Sequence, residues 1–223
     1  QSLALPRKPP VTLAMWREAW APALAAAEAL VVFSEDSRRQ VLAACPGAEG
    51  RIRLVPHRLL EPVPAVARPA PPPRVIGVLG NIGPQKGAGV IVDLARRLSG
   101  RGDIRLALLG NLDPDYSLPR HVPVHGDYTI ADIPALVARY GITDWLIPSI
   151  WPETFSFTTH EALATGLPVM VFDLGAQADA ARAAPNGRVL PFGPAATLVE
   201  AVIAAVERTT GADAGPGAVA AAS

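Results

Sequence analysis

Two carboxylates and one cation stand out in the chain by their placement. Glu153 and Glu161 are separated by seven residues within the stretch Ile147 to Val169, IPSIWPETFSFTTHEALATGLPV. Lys86 lies near the end of a glycine-bearing run, GNIGPQKG, at residues 80 to 87. Carboxylates accept hydrogen bonds from vicinal hydroxyls. A lysine on its flexible stem reaches a diphosphate as a point charge, and free N–H groups at a helix start attract phosphate. The local elements fit that chemistry. An apolar strand over Asp144 to Ile147 runs into a proline-bearing loop closed by Glu153. Ser156 or Thr154 is then placed to cap a helix that carries Glu161 and stops at Gly166, with Pro168 just beyond. Such a unit suits a sugar-nucleotide ligand.

Better-known motifs fail on inspection. A GxGxxG run starting at Gly80 would need glycine where Ile82 stands, and a P-loop needs glycine before its lysine, whereas Gly87 follows Lys86. His160 lacks the second histidine of HExxH, so a metal role for it has no support. His125 reads as a structural histidine with a satisfied partner.

The surrounding chain alternates strand and helix. After a proline-rich run from Glu61 to Pro73, read as an extended linker, the expected order is strand Arg74–Leu79, helix Ala88–Leu98, strand Ile104–Leu109, a long loop through Val122–Val124, helix Ala131–Tyr140 and strand Asp144–Ile147. Strand Pro168–Phe172 follows the glutamate-bearing helix. A turn at Asp173 to Ala176, a helix over about Gln177–Ala183, strand Arg188–Pro191 and helix Ala195–Arg208 complete the set. This alternation predicts an α/β fold with a doubly wound parallel sheet. Ligands in such sheets sit at the carboxyl ends of the strands, where strand order reverses. The loops there are Gly80–Gly87, Gly110–Asp113, His125–Tyr128 and Ser149–Ser156, which hold most of the chemically promising residues.

Before the linker, a helical pattern over Thr12–Glu28 is interrupted by Pro22, and Trp16, Trp20, Leu24 and Ala27 share one face. The tryptophans read as packing surface rather than a sugar-stacking platform. Strand Ala29–Phe33, helix Glu35–Ala44 capped by Ser34, and strand Ile52–Pro56 follow. Residues 1–10 read as extended. The apolar surface over 12–33, with an open strand edge at Val31–Phe33, would either self-associate with a second copy or fold back as a cap.

Composition bounds the rest. The chain has 223 residues, half of them hydrophobic, and a formal net charge of zero, which argues against nucleic-acid binding by electrostatics. Cys45 is the single cysteine, so neither a disulfide framework nor a thiolate metal site is available. No apolar run reaches membrane-span length. A cytoplasmic location is expected, with any membrane association peripheral, at the inner face.

The stretch with Glu153, Glu161, Ala162, Gly166 and Pro168 resembles the donor-binding motif of retaining GT-B glycosyltransferases of the large group-1 type (family 4-like). GNIGPQKG resembles the phosphate loop of the same group, with Lys86-Gly87 matching its Lys-Gly and Asn81 standing where an arginine is usual. FDLGAQADA at 172–180 matches a Gly-Gly-x-x-Glu segment only through Gly175, with Asp179 the nearest acid. The resemblance covers about residues 74–208 well and 12–60 loosely.

It implies a Rossmann-like GT-B C-terminal domain and transfer of a hexosyl group from a nucleotide-diphosphate sugar, in polysaccharide or lipopolysaccharide synthesis. No cofactor or metal is implied. Glu153 and Lys86 would be the catalytic residues. Gly80, Asn81, Gly83, Lys86, Gly110, Asn111, Gly126, Glu153, Thr154, Phe155, Ser156, Phe157 and Glu161 would bind the donor, with Glu161 on the ribose. The domain plan it implies is a remnant of the acceptor domain at 1–58, a linker at 59–73, the donor domain at 74–209 and a loose tail at 210–223. A glycan or lipid-linked acceptor would then need the missing part of the first domain, so that this chain by itself would be an incomplete enzyme. A non-catalytic sugar-nucleotide-binding module and a GT-B sugar-nucleotide epimerase are the alternatives, the first favoured slightly by Asn81.

Overall fold

The computed structural model describes residues 12–213, and the chain divides after Pro56 into two compact units. In the first, helix α1 (Leu13–Ala26) leads to strand β1 (Leu30–Val32), helix α2 (Glu35–Ala44), a 3-10 helix (Pro46–Arg51) and strand β2 (Ile52–Leu54). Both α-helices start on a side-chain cap: the Thr12 hydroxyl oxygen accepts from Met15 N–H at 3.2 Å and that of Ser34 from Ser37 N–H at 3.1 Å. Pro22 lies inside α1 without splitting it. The helix buries no residue, so water can bond the carbonyl that proline leaves without a partner. Arg51 Nη1 donates to Leu24 O at 2.8 Å and Ala27 O at 2.6 Å, tying down the end of α1. β1 pairs in parallel with β2, which covers one side of the strand edge expected to be open. Trp16 and Trp20 remain about half exposed, their rings 5.9 Å apart. Val32, Ala48 and Ile52 form a small core.

The second unit contains β3 (Arg74–Leu79), α3 (Ala88–Arg97), β4 (Ile104–Leu109), α4 (Ile133–Tyr140), β5 (Asp144–Ile147), α5 (Phe157–Ala164), β6 (Val169–Phe172), α6 (Gly175–Ala183), β7 (Gly187–Leu190) and α7 (Ala195–Asp213). Its sheet is wholly parallel, in the order β4-β3-β5-β6-β7. Successive residues of each strand serve opposite faces. Ile76, Val78, Leu146 and Met170 pack with α3 and α7; Val75, Leu79, Trp145 and Ile147 pack with α4 and α6. Burial on both faces explains why the strands read as unbroken apolar runs. Each large side chain so buried stabilises the fold by about 1.5–3 kcal/mol. Trp145 is fully enclosed and donates its indole N–H to the Thr165 hydroxyl at 3.0 Å.

The expected elements are all present, with instructive departures. α6 opens at Gly175, two residues early, because that glycine takes a positive φ of 64° and turns directly into the helix. α7 continues through Asp213, past the expected stop at Arg208, since a helix already anchored on the sheet propagates cheaply. The first residues of the expected loose tail are therefore helical, and the rest of it, like the extended segment expected at residues 1–10, lies outside the described residues. Val122–Val124 makes only an isolated parallel bridge, Val124 to Leu108. The proline-rich run carries no helix or strand but is docked on the unit: Val66 N–H donates to Thr165 O at 2.9 Å, and Val63 and Val66 pack on the core.

One buried ion pair holds the strand starts. Arg74 donates to both Asp144 carboxylate oxygens at 3.0 and 2.8 Å, and the Thr143 hydroxyl adds a bond to Asp144 at 2.7 Å. Both charged side chains are almost completely buried. Fully bonded in this way, the pair fixes β3 beside β5 at the end of the sheet opposite their outgoing loops.

Candidate functional site

The strand order reverses at β3. The chain steps from β3 outward to β4, then returns to place β5 on the other side of β3. The loops leaving β3 and β5 therefore diverge around a crevice at the carboxyl end of the sheet. These are the glycine run 80–87 and the loop 148–156, which carry Lys86 and Glu153.

The two loops are joined by backbone contact. Ile150 N–H donates to Gln85 O at 3.0 Å. Gly87 sits at φ 85°, and a Cβ there would lie 2.1 Å from Pro148 O. Only glycine permits both the conformation and the approach. Lys86 is thereby held beside the 148–156 loop while its own side chain stays exposed. A cavity of about 660 Å³ opens here, and Lys86, Glu153, Thr154, Phe155, Ser156 and Phe157 are among the residues that line it, together with His57, Gln85 and Trp151.

The start of α5 departs from expectation. Ser156 occupies the cap position, but neither it nor Thr154 caps the helix with a side chain. Ser156 has φ 67° and ψ 81°, the one non-glycine residue at positive φ among those described. Its hydroxyl pairs with that of Thr159 at 2.8 Å. That backbone costs of order 1–3 kcal/mol for a non-glycine residue and is held by its surroundings. The consequence is that the N–H groups of the first turn of α5 have no side-chain partner and remain available to an anion. Buried Phe155 stacks on His160 with ring centroids 4.1 Å apart, and half-exposed Phe157 meets Phe155 edge-on at 4.9 Å. This aromatic group supports the turn.

Glu161 lies one turn further along α5 and is half-buried. Burial raises its carboxyl above the ordinary range, and the nearby Lys86 cation partly offsets that. Tyr128 sits close enough that the Glu161 carboxylate adds to the upward shift that burial gives its hydroxyl. The loop through Tyr128 and the helix bearing Glu161 thus face one another, a convergence with no local sequence signal.

Other predicted residues form a neighbouring group. Gly80 and Gly110 pack backbone to backbone at the ends of β3 and β4, and Gly126 N–H donates to Gly110 O at 3.1 Å. Gly83 O accepts from Ala88 N–H at 3.1 Å at the start of α3. Asn81 is engaged: its Oδ1 accepts from both Asn111 N–H and Asn111 Nδ2 at 3.2 Å, and Asn111 Nδ2 also donates to Asp127 at 2.6 Å. Asn111 therefore ties three loops together, with Asn81, at the position of the usual arginine, as one of its two partners. His125 Nδ1 lies 3.1 Å from the Tyr140 hydroxyl, as suits a structural histidine. Gly80, Asn81, Gly83, Gly110, Asn111, Gly126 and Glu161 do not line the 660 Å³ cavity itself.

Sequence reasoning missed Gln177. It is fully buried in α6, and its side-chain amide donates to Trp151 O at 2.9 Å and accepts from Glu153 N–H at 3.3 Å. The only sequence-level hint was an amide in an otherwise alanine-rich helix.

The model of the family described as glycosyl transferases group 1 matches residues 73–208, well over half of the chain. A phosphatidyl-myo-inositol mannosyltransferase of Mycobacterium leprae is 28% identical over 128 residues, covering 54% of this chain and 34% of that protein. Among solved structures, sucrose-phosphate synthase of Thermosynechococcus elongatus superposes with a TM-score of 0.67 at 20% identity, over 87% of this chain and 53% of that one. HepE of Anabaena, solved in complex with UDP and glucose, gives 0.66 at 19% identity, over 90% and 59%. The chain spans about a third of the length of the mannosyltransferase and somewhat over half of the two solved structures. Matched by the family model across the whole five-stranded sheet of its second unit, the chain belongs to the group 1 glycosyl transferases, and that unit is a GT-B C-terminal-like domain.

Proposed function

We propose that the second unit binds a nucleotide-diphosphate sugar at the crevice between the β3 and β5 loops and serves as the donor half of a retaining hexosyltransferase. One observation carries the reading: the sheet reverses where the backbone of the Lys86 loop meets that of the Glu153 loop. Lys86 and the uncapped N–H groups of α5 would neutralise the diphosphate, with no metal ion assigned to that task. Glu153 would contact the transferred sugar, and Glu161 would accept from the ribose hydroxyls. Gly80, Asn81, Gly83, Gly110, Asn111 and Gly126 would line the nucleotide side through backbone groups. Departure of the diphosphate is then eased by charge already in place before reaction. HepE was solved with UDP-glucose and with UDP, which supports a donor of that class.

The acceptor would be a glycan or a lipid-linked glycan, in polysaccharide or lipopolysaccharide synthesis. A related fold belongs to a lipopolysaccharide outer core galactosyltransferase, WaaB, and the mannosyltransferase relative is named for a lipid acceptor. Among the described residues no helix is long and apolar enough to cross a membrane.

Glu161→Ala tests the reading. It should weaken binding of the nucleoside diphosphate by about 1.5–3 kcal/mol, the range for hydrogen bonds to a charged group. Unchanged affinity in a folded variant would remove Glu161 from the site.

A further inference from the structure

We infer that Gln177 is a positioning residue that sets the height of Glu153 in the crevice. The inference rests on the proposed role of Glu153 at the transferred sugar. Gln177 does not line the cavity; it is buried in α6. Its amide spans Pro152: Nε2 donates to Trp151 O at 2.9 Å, and Oε1 accepts from Glu153 N–H at 3.3 Å. Trp151 O can only accept and Glu153 N–H can only donate, so the amide has one orientation that serves both. Ala176 N–H then donates to Glu153 O at 2.9 Å, so the peptide groups on both sides of Glu153 are held by consecutive residues of α6.

Gly175 allows this approach. It has φ 64°, and a Cβ there would lie 2.6 Å from Pro152 Cα and 2.7 Å from Glu153 N. The helix start is therefore pressed against the loop. A proline-bearing loop has few N–H groups of its own to form a turn, and Pro152 contributes none. Within the loop the Ser149 hydroxyl donates to Trp151 O at 3.1 Å, and the bonds on either side of Glu153 are supplied from α6.

The residue type is specific. A leucine would fill the volume but leave Glu153 N–H without its side-chain acceptor and Trp151 O with only the Ser149 hydroxyl, 3.1 Å away. A glutamate would accept from Glu153 N–H but could not donate to Trp151 O, and it would bury a charge. With the backbone of Glu153 held on both sides, the point and direction from which its side chain leaves the loop are set by the fold before any ligand arrives.

The test compares a sugar nucleotide with its own diphosphate. The full chain is titrated with UDP and UDP-glucose and with GDP and GDP-mannose, and the pair that binds is carried forward. The quantity read is the ratio of the Kd of the sugar nucleotide to that of the diphosphate. Glu153→Ala and the isosteric Gln177→Met should each raise that ratio about tenfold. Each should change the diphosphate Kd less than about twofold, and combining them should add little, because both act on one interaction. If Glu153→Ala raises the ratio while Gln177→Met leaves it alone, or if Gln177→Met weakens both ligands equally, the positioning role is overturned and the donor site stands. If the wild-type chain binds neither pair, the proposed function falls and this inference falls with it. Hydrogen exchange at the Glu153 amide of the wild-type chain provides a readout independent of any variant. Strong protection is expected, and exchange at the rate of an open loop would overturn the clamp.

Discussion

Gly87→Ala probes the junction on which the site depends. A Cβ at that position would fall 2.1 Å from Pro148 O and 2.8 Å from Pro148 C, whereas ordinary contact begins at 3.4 Å. One of the two loops must therefore move by more than 1 Å, and both are backbone, so no side chain can swing aside. Leaving glycine at φ 85° adds about 1–2 kcal/mol of left-handed strain. Forcing the loops apart adds about 1–3 kcal/mol, the usual range for overpacking. A total of about 2–5 kcal/mol follows. The suitable assay is hydrogen exchange of the β3 and β5 amides in urea, which reports on the second unit alone. Affinity for the nucleoside diphosphate should fall in parallel, because the Gln85–Ile150 bond cannot survive the shift. A loss below about 1 kcal/mol with unchanged affinity would refute the idea that these two loops are locked together.

Lys86→Ala should weaken a nucleoside diphosphate at least tenfold while leaving the parent nucleoside nearly unaffected, since the lysine would meet only phosphate; equal losses measured by calorimetry would assign it to loop folding. Glu161→Gln should stabilise the chain at pH 7. Burial raises the wild-type carboxyl, so its stabilising neutral form is complete below the ordinary carboxylate range and is lost as pH rises through the folded value. The two chains should converge at about pH 3–4, and a less stable variant at pH 7 would contradict that sign. The exposed pair Trp16 and Trp20 should drive self-association, so sedimentation should show the full chain larger than its Trp16→Glu/Trp20→Glu variant; a monomer in both would leave α1 as a surface helix of its own unit.

What was legible in the sequence had a local physical cause. β3 and β5 announced themselves as apolar runs because both of their faces are covered. Gly166 and Pro168 marked the end of α5, and the loops 80–87 and 148–156 could be placed at strand ends because strand and helix alternate so regularly. What was not legible depends on contacts between distant residues. Ser156 was expected to behave as an ordinary cap, yet the surrounding fold holds it in a conformation serine rarely adopts. Gln177 meets residues 24 and 26 positions earlier in the chain. The docking of Val63 and Val66 could not be seen in a run whose prolines signal only an extended backbone. Arg74 and Asp144 could not be paired on paper, because nothing in either strand says that β3 and β5 are neighbours.

The most direct test of a donor site between the β3 and β5 loops is calorimetric titration of the full chain with UDP, GDP, UDP-glucose, GDP-mannose and the parent nucleosides. At least one diphosphate and its sugar nucleotide should bind at a single site, at least tenfold more tightly than the nucleoside, with the increment lost in Lys86→Ala. Failure of every diphosphate and sugar nucleotide to bind at millimolar concentration, with the fold intact, would contradict it.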